Sequence, residues 1–297
     1  MSGRGIGDLG PIGLWDLFRS GVTREDSGFE TLEASLREDR LRARGLRKSA
    51  ARFPELINGE EAEGLAAQLQ LSGDGFACPH TLASSVYMRS LRGNIGGHLW
   101  RLVDRVGVDR VHSFTVIPKS WEFTAQQLAD VDPRLLLRAL LGAMYTRGAG
   151  QANGWVIAFI HGEWDPAGVF RLHVHGFASG GMVGVIDRLR ELPNYETLRI
   201  LSNGKLNPVY RRVRISWKPL KNLPSPITYR LQAYWPSRAL FISDNGARVR
   251  ARRKQRIAEP QHSQVLLWMD RWQIADLTLM VGLRVTKTGL AQTKPVK

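Results

Sequence analysis

The sequence predicts an α+β protein, an antiparallel sheet with helices packed on it and helical extensions at both ends. Two apolar runs rich in Val, Ile, Phe and Trp flank Asp165-Pro166-Ala167-Gly168, where proline presets φ and glycine accepts positive φ, the pattern of a β-hairpin. Other stretches repeat apolar residues at helical intervals, as Leu136, Leu137, Leu140, Leu141 and Met144 do after Asp132-Pro133. From residue 108 onward these signals alternate as strand, helix, hairpin, helix, strand, helix.

Taken in order, residues 1–106 read as a mostly helical, partly flexible N-terminal region. Ser27 to Ala51 reads as a helix whose second half carries Arg40, Arg42, Arg44, Arg47 and Lys48, a phosphate-contacting or simply solvated face. A short acidic helix is expected from Asn58 to Leu71. Ser84 to Val106 has helical spacing, but Gly93, Gly96 and Gly97 predict two pieces rather than one.

Residues 107–240 form the expected central domain. It comprises a strand at Val111 to Pro118, a helix at Pro133 to Arg147, the hairpin, a helix at Gly181 to Leu192, and strands at Leu198 to Ile200 and Tyr210 to Trp217 around the Ser202-Asn203-Gly204 turn. The last strand alternates Arg212, Arg214 and Ser216 against Val213, Ile215 and Trp217, one basic face and one packing face. A basic loop from Lys218 then leads into a helix carrying Tyr229 and Tyr234. In residues 241–297, Arg248 to Arg256 holds six basic residues in nine and is expected as a flexible arm or basic helix. Gln261 to Leu283 follows as an amphipathic helix, and Arg284 to Lys297 as a polar, mobile tail.

Composition narrows the class. No apolar run reaches the roughly twenty residues needed to span a bilayer, and Met1 to Gly13 lacks the hydrophobic segment of a signal peptide. The single cysteine, Cys78, excludes an internal disulfide and a cysteine-built zinc site. A cytoplasmic protein without membrane contact is expected. The net charge of +15 attracts polyanions, nucleic acid first among them; an inert basic surface or an anionic membrane are the competing readings.

The chemistry concentrates in the hairpin. In a strand, side chains two apart share a face, so His173 and His175 project together while Val174 anchors the other side. Two neutral imidazoles are a natural seat for a divalent cation. Glu163 and His161 alternate on the opposing run, and either is placed to be the third ligand; Glu163 is favoured because a carboxylate suits Mg²⁺ or Mn²⁺. Alone, a His-x-His is more often a pair of half-exposed strand residues than a metal site.

Three segments change those odds: the strand from Phe114 to Pro118, His173-Val174-His175, and the tyrosine helix after Lys218-Pro219-Leu220-Lys221. In this order they resemble the HUH endonuclease superfamily, in particular the rolling-circle replication initiators of plasmids and phages, with relaxases and transposases as relatives. The resemblance covers roughly residues 108 to 240. It departs from the family at the third motif, where glutamine, Gln232, stands three residues after Tyr229 in place of the usual lysine. Arg230 or Arg238 would have to supply that charge. Tyr229 and Tyr234 are five apart rather than four, which predicts one working tyrosine, with Tyr229 preferred.

The resemblance implies an HUH-type α+β fold and a metal-dependent endonuclease that nicks one strand of origin DNA and later rejoins it. The metal, Mg²⁺ or Mn²⁺ on His173, His175 and Glu163, would polarise the scissile phosphate, and tyrosine would form a 5′-phosphotyrosine link. Single-stranded or origin DNA is the expected partner. Arg211, Arg212, Arg214, Lys218, Lys221, Arg250, Arg252, Arg253 and Lys254 are the expected backbone contacts, with Trp217 or Trp235 as a stacking platform unless packing claims them. No GxxxxGK[ST] phosphate loop occurs, so unwinding requires a host helicase. A catalytically inactive origin-binding protein is the competing function.

Overall fold

A computed structural model of the chain describes residues 5–10, 30–165, 168–196, 199–202, 205–208, 211–221, 223, 225–231, 235–237, 240–242, 248–250 and 254–293. Among these the fold is α+β with eight α-helices and a mixed central sheet. Tyr234, Arg238, Arg252 and Arg253 lie outside the described residues.

Three helices build the N-terminal layer: α1 (Leu32–Arg52), α2 (Gly59–Gly73) and α3 (Ser85–Val106). Each starts on a polar cap, Thr31, Asn58 and Ser84, whose side chains accept from first-turn amides. Buried Asp39 ties them together, accepting from Ser72 Oγ at 2.7 Å, Ser84 Oγ at 2.6 Å and the Ser85 amide at 2.6 Å. The arginines of α1 serve this layer in part. Arg42 is buried, bonded to Glu38 and to the Ala83 carbonyl, and Arg47 pairs with Glu63.

The glycines of α3 do not break it. The helix runs continuously through Gly93, Gly96 and Gly97, all buried. Burial against neighbouring elements outweighs the cost of about 1 kcal/mol per glycine.

The sheet begins with β1 (Val111–Val116) and β2 (Glu122–Thr124). Helices α4 (Ala125–Leu128) and α5 (Pro133–Thr146) follow, the latter capped by Asp132 with proline at its first turn. The hairpin is β3 (Trp155–Asp165) and β4 (Val169–Ser179), paired along their whole length. Gly168 takes φ +93, as the turn requires. Beyond α6 (Gly181–Arg188) come β5 (Arg199–Ser202) and β6 (Lys205–Pro208), which pair with each other, and β7 (Val213–Ile215), which pairs with β1. Lys205 to Pro208, not the 210–217 run, is therefore the partner across the Ser202-Asn203-Gly204 turn.

β7 is only three residues long, and the expected alternation fails at its ends. Arg212 is buried, donating to the Ile117 carbonyl at 3.3 Å, whereas Trp217 is 60% exposed.

The C-terminal third departs most from expectation. After α7 (Ser225–Tyr229) come β8 (Pro236–Ser237), β9 (Leu240–Ile242), β10 (Arg248–Arg250) and β11 (Gln255–Arg256). The basic stretch is neither arm nor helix where described: β10 pairs with β9, and β11 with β8. The amphipathic helix stops early, as α8 (Gln261–Asp270), and Thr278–Val281 becomes β12, antiparallel to β3. Ser49 Oγ on α1 and Ser263 Oγ on α8 both donate to the Glu259 carboxylate, tying the first and last helices together. The tail forms a hairpin, β13 (Leu283–Thr286) with β14 (Gly289–Gln292).

The central sheet thus runs β11-β8-β3-β4-β1-β7, with β12 beside the start of β3 and β2 beside the start of β4. All described pairings are antiparallel except β3 with β8. Apolar residues from helices and sheet, Leu46 and Leu99 among them with Trp155, Phe177 and Trp268, join in one core.

Candidate active site

The register of the hairpin decides which side chains meet. His161 stands directly opposite His173, Glu163 opposite Arg171, and Phe159 opposite His175. On the other side, Thr115 of β1 is opposite His175 and Arg214 of β7 opposite Thr115. Facing partners in a ladder share a face, so one surface of the sheet gathers three imidazoles, a carboxylate, a hydroxyl and two guanidiniums.

Two glycines make room on the reverse surface. A Cβ on Gly162 would stand 2.2 Å from the Trp235 ring, and one on Gly176 would meet the Ile157 carbonyl at 2.4 Å and the Phe114 ring at 2.6 Å. Glycine thus lets the neighbours of His161 and His175 pack against the strands carrying them. Trp235, held between Phe170 and Trp268, belongs to the core.

The imidazoles form a compact cluster. Ring centres lie 4.7 Å apart for His173 and His175, 4.9 Å for His161 and His175, and 6.1 Å for His161 and His173. Partners assign the protons. The Arg230 guanidinium, which can only donate, reaches His175 Nδ1 at 2.8 Å, and Thr115 Oγ1 stands 2.8 Å from the same nitrogen. His175 therefore carries its proton on Nε2 and donates to His173 Nε2 at 3.1 Å; His173 in turn donates from Nδ1 to the Arg171 carbonyl at 3.2 Å. His161 Nε2 donates to the Arg230 carbonyl.

Burial keeps the cluster neutral. It pushes His161 down to about 3, helped by the neighbouring His173, and His173 down to about 4 against the opposing Arg171 carbonyl. His175 is also pushed well below the usual imidazole value, by burial first and then by the other two histidines. Arg230 is lowered by burial as well.

His173 and His175 present donors spaced for one ion: bonds of about 2.1 Å at near right angles separate two nitrogens by about 3 Å. His161 and His173 already hold their other N–H on a backbone carbonyl, as metal-ligating histidines do. His175 does not. To ligate through Nε2 it must move its proton to Nδ1, where Thr115 can accept and Arg230 cannot. Among the described residues no group of three or more His, Cys, Asp or Glu is arranged to hold a metal ion. Glu163 lines the same cleft, but His161 is the group packed against the pair.

Tyr229 closes the cleft. Helix α7 ends on it, with Ile227 and Thr228 fully buried and Tyr229 41% exposed. Its ring centre is 6.0 Å from that of His175, with Arg230 beside it. The expected helix carrying both tyrosines ends at Tyr229: Arg230 and Leu231 form a turn, and Tyr234 lies outside the described residues. Lys254 donates from Nζ to the Tyr229 hydroxyl at 2.7 Å, so an ammonium reaches this oxygen from the segment before β11. The cleft, about 150 Å³, is shared by Glu163, His173, His175, Arg214, Tyr229 and Lys254.

Of the other expected contacts, Arg211, Arg214, Lys218 and Lys221 are exposed and Arg212 is buried. Arg250 falls in β10, and its side chain is outside what is described. Sequence reasoning missed the role of Thr115 and cast Lys254 only as a phosphate contact. The His161 and Glu163 alternation was the one signal that pointed to the third imidazole. Among the described residues no helix is long and apolar enough to cross a membrane. Comparison with family models, curated proteins and solved structures gave no match to the chain.

Proposed function

We propose that this chain is a DNA-nicking and strand-transferring enzyme of the HUH type, acting on single-stranded or origin DNA. The observation that carries the reading is Tyr229, a part-exposed phenol at the end of a short helix, 6.0 Å from His175 and sharing its cleft. Arg214 and Lys254 border that cleft and would hold a phosphodiester by its oxygens. The Tyr229 oxygen attacks phosphorus, the bond to the 3′-oxygen breaks, and a 5′-phosphotyrosine forms; the exchange of one ester for another preserves the linkage for rejoining. The phenol proton passes to water and the 3′-oxygen takes one up to leave as a hydroxyl, while Lys254 stabilises the charge on the phenol oxygen.

His173 and His175, with His161 or Glu163, would hold Mg²⁺ or Mn²⁺, which when bound polarises the phosphate and steadies the departing oxygen. Strand opening falls to a host helicase.

The test incubates the full chain with single-stranded DNA and Mn²⁺, then maps any covalent adduct by peptide mass spectrometry. Attachment at Tyr229, lost in Tyr229→Phe and His173→Ala, supports the proposal. A second reading, DNA binding without catalysis, draws on the absence among described residues of a three-donor metal group. Binding without an adduct under Mg²⁺ or Mn²⁺ would establish it.

A further inference from the structure

A second cleft lies away from the histidines. It encloses about 770 Å³ and is bordered by Arg105, Arg110, His112, Asn153, Trp217 and Gln292. Its wall includes the open end of the β3–β4 hairpin at Gly154 and Ser179. Six ladder steps separate Trp155 opposite Ser179 from His161 opposite His173, about 20 Å at the usual rise. His112 is three residues before Thr115, so alternation points it to the reverse side of the sheet. His112 thus projects from the surface opposite the histidines, at the end of the sheet where Gly154 and Ser179 lie.

Trp217 is an indole 60% exposed at the rim. Its ring is set against His112 at 5.3 Å with a 57° tilt, and His112 Nδ1 is fixed by the Ser216 carbonyl at 3.1 Å. Arg105 is likewise held, donating to the Leu290 carbonyl at 2.8 Å. An aromatic face in a cleft bordered by the held Arg105 and by Arg110 offers what a nucleobase and its neighbouring phosphates need.

The route between the clefts is basic. Among the described strands, β7 is the last on its side of the sheet, and Arg214 on it borders the Tyr229 cleft. Arg211, Lys218 and Lys221, all exposed, precede and follow that strand, with Trp217 among them.

We infer that the Trp217–His112 cleft is a single-stranded DNA subsite, which stacks one base on Trp217 and receives a strand passing round the β7 edge from the Tyr229 cleft. The strand's direction of travel rests on the nicking proposal; the stacking site itself does not.

The experiment measures binding of a fluorescein-labelled oligothymidylate to the full chain in EDTA, where no cleavage is asked of it. Trp217→Ala is expected to weaken binding about tenfold, the scale of one lost stack, and Trp217→Phe to recover most of it. Arg110→Gln is expected to lower the slope of log K against log salt by about one. Thermal melting of Trp217→Ala near the wild-type temperature confirms that the exposed indole is not a folding determinant. Unchanged binding by Trp217→Ala overturns the subsite and leaves nicking at Tyr229 standing. Trp217-dependent binding by a chain that forms no adduct leaves the subsite and overturns nicking. Absence of wild-type binding, or preference for duplex DNA or for RNA, overturns the assignment to single-stranded DNA.

Discussion

Lys254 donates to the Tyr229 hydroxyl across 2.7 Å, although 25 positions separate them in the chain. The ammonium also stands 4.5 Å from the centre of the phenol ring. A lysine is lacking three residues after Tyr229, and the cation arrives from the segment leading into β11 instead. Under the proposed chemistry, Lys254→Met slows adduct formation at Tyr229 by about a hundredfold, the effect of removing one charge-stabilising donor. Lys254→Arg retains part of the rate. A loss seen only in KM, with kcat intact, would reduce Lys254 to a phosphate contact.

Arg230 and a metal ion compete for the state of His175. The guanidinium fixes the proton on Nε2, where a metal would bind, and adds its own positive charge nearby. Arg230→Gln is therefore expected to tighten Mn²⁺ binding about tenfold by titration calorimetry. Weaker binding would mean that Arg230 supports the ion through other groups.

The reverse surface packs closely behind the strands that carry the histidines. Gly176→Ala forces a methyl against the Ile157 carbonyl and the Phe114 ring, at a cost of about 2 kcal/mol. Urea unfolding should show this as a lower midpoint at unchanged slope.

His161 gives a pH dependence with a definite sign. Its value falls from 6.5 in the open chain to about 3 when buried, so below pH 6.5 the unfolded chain takes up protons that the folded chain refuses. Stability from this group is complete above 6.5 and lost as pH falls toward 3. In His161→Gln the melting temperature should drop less steeply between pH 6.5 and 4. An identical slope would show that other groups govern acid unfolding.

The strands of the hairpin and the His173, His175 face were legible because period-two alternation is local. Their partner was not, since register across the Asp165–Gly168 turn depends on turn length as well as on pattern. The continuous α3 was misread because glycine's helical penalty is local while the burial that offsets it is tertiary. β12 was misread because Leu279 continues the helical stripe of Val265, Trp268, Met269 and Trp272, and only pairing with β3 decides. Lys254 escaped for the same reason: contact between residues so far apart leaves no trace in spacing.

The distance between His161 and His173 is set by main-chain pairing of β3 and β4 rather than by any side chain. Extra residues at the turn would leave the upper rungs in place. One residue inserted after Leu172 would instead swap Val174 and the imidazoles between the two surfaces, delivering an aliphatic group to the cleft and burying nitrogen against Phe114. The hairpin therefore tolerates lengthening at its tip and forbids it in its stem.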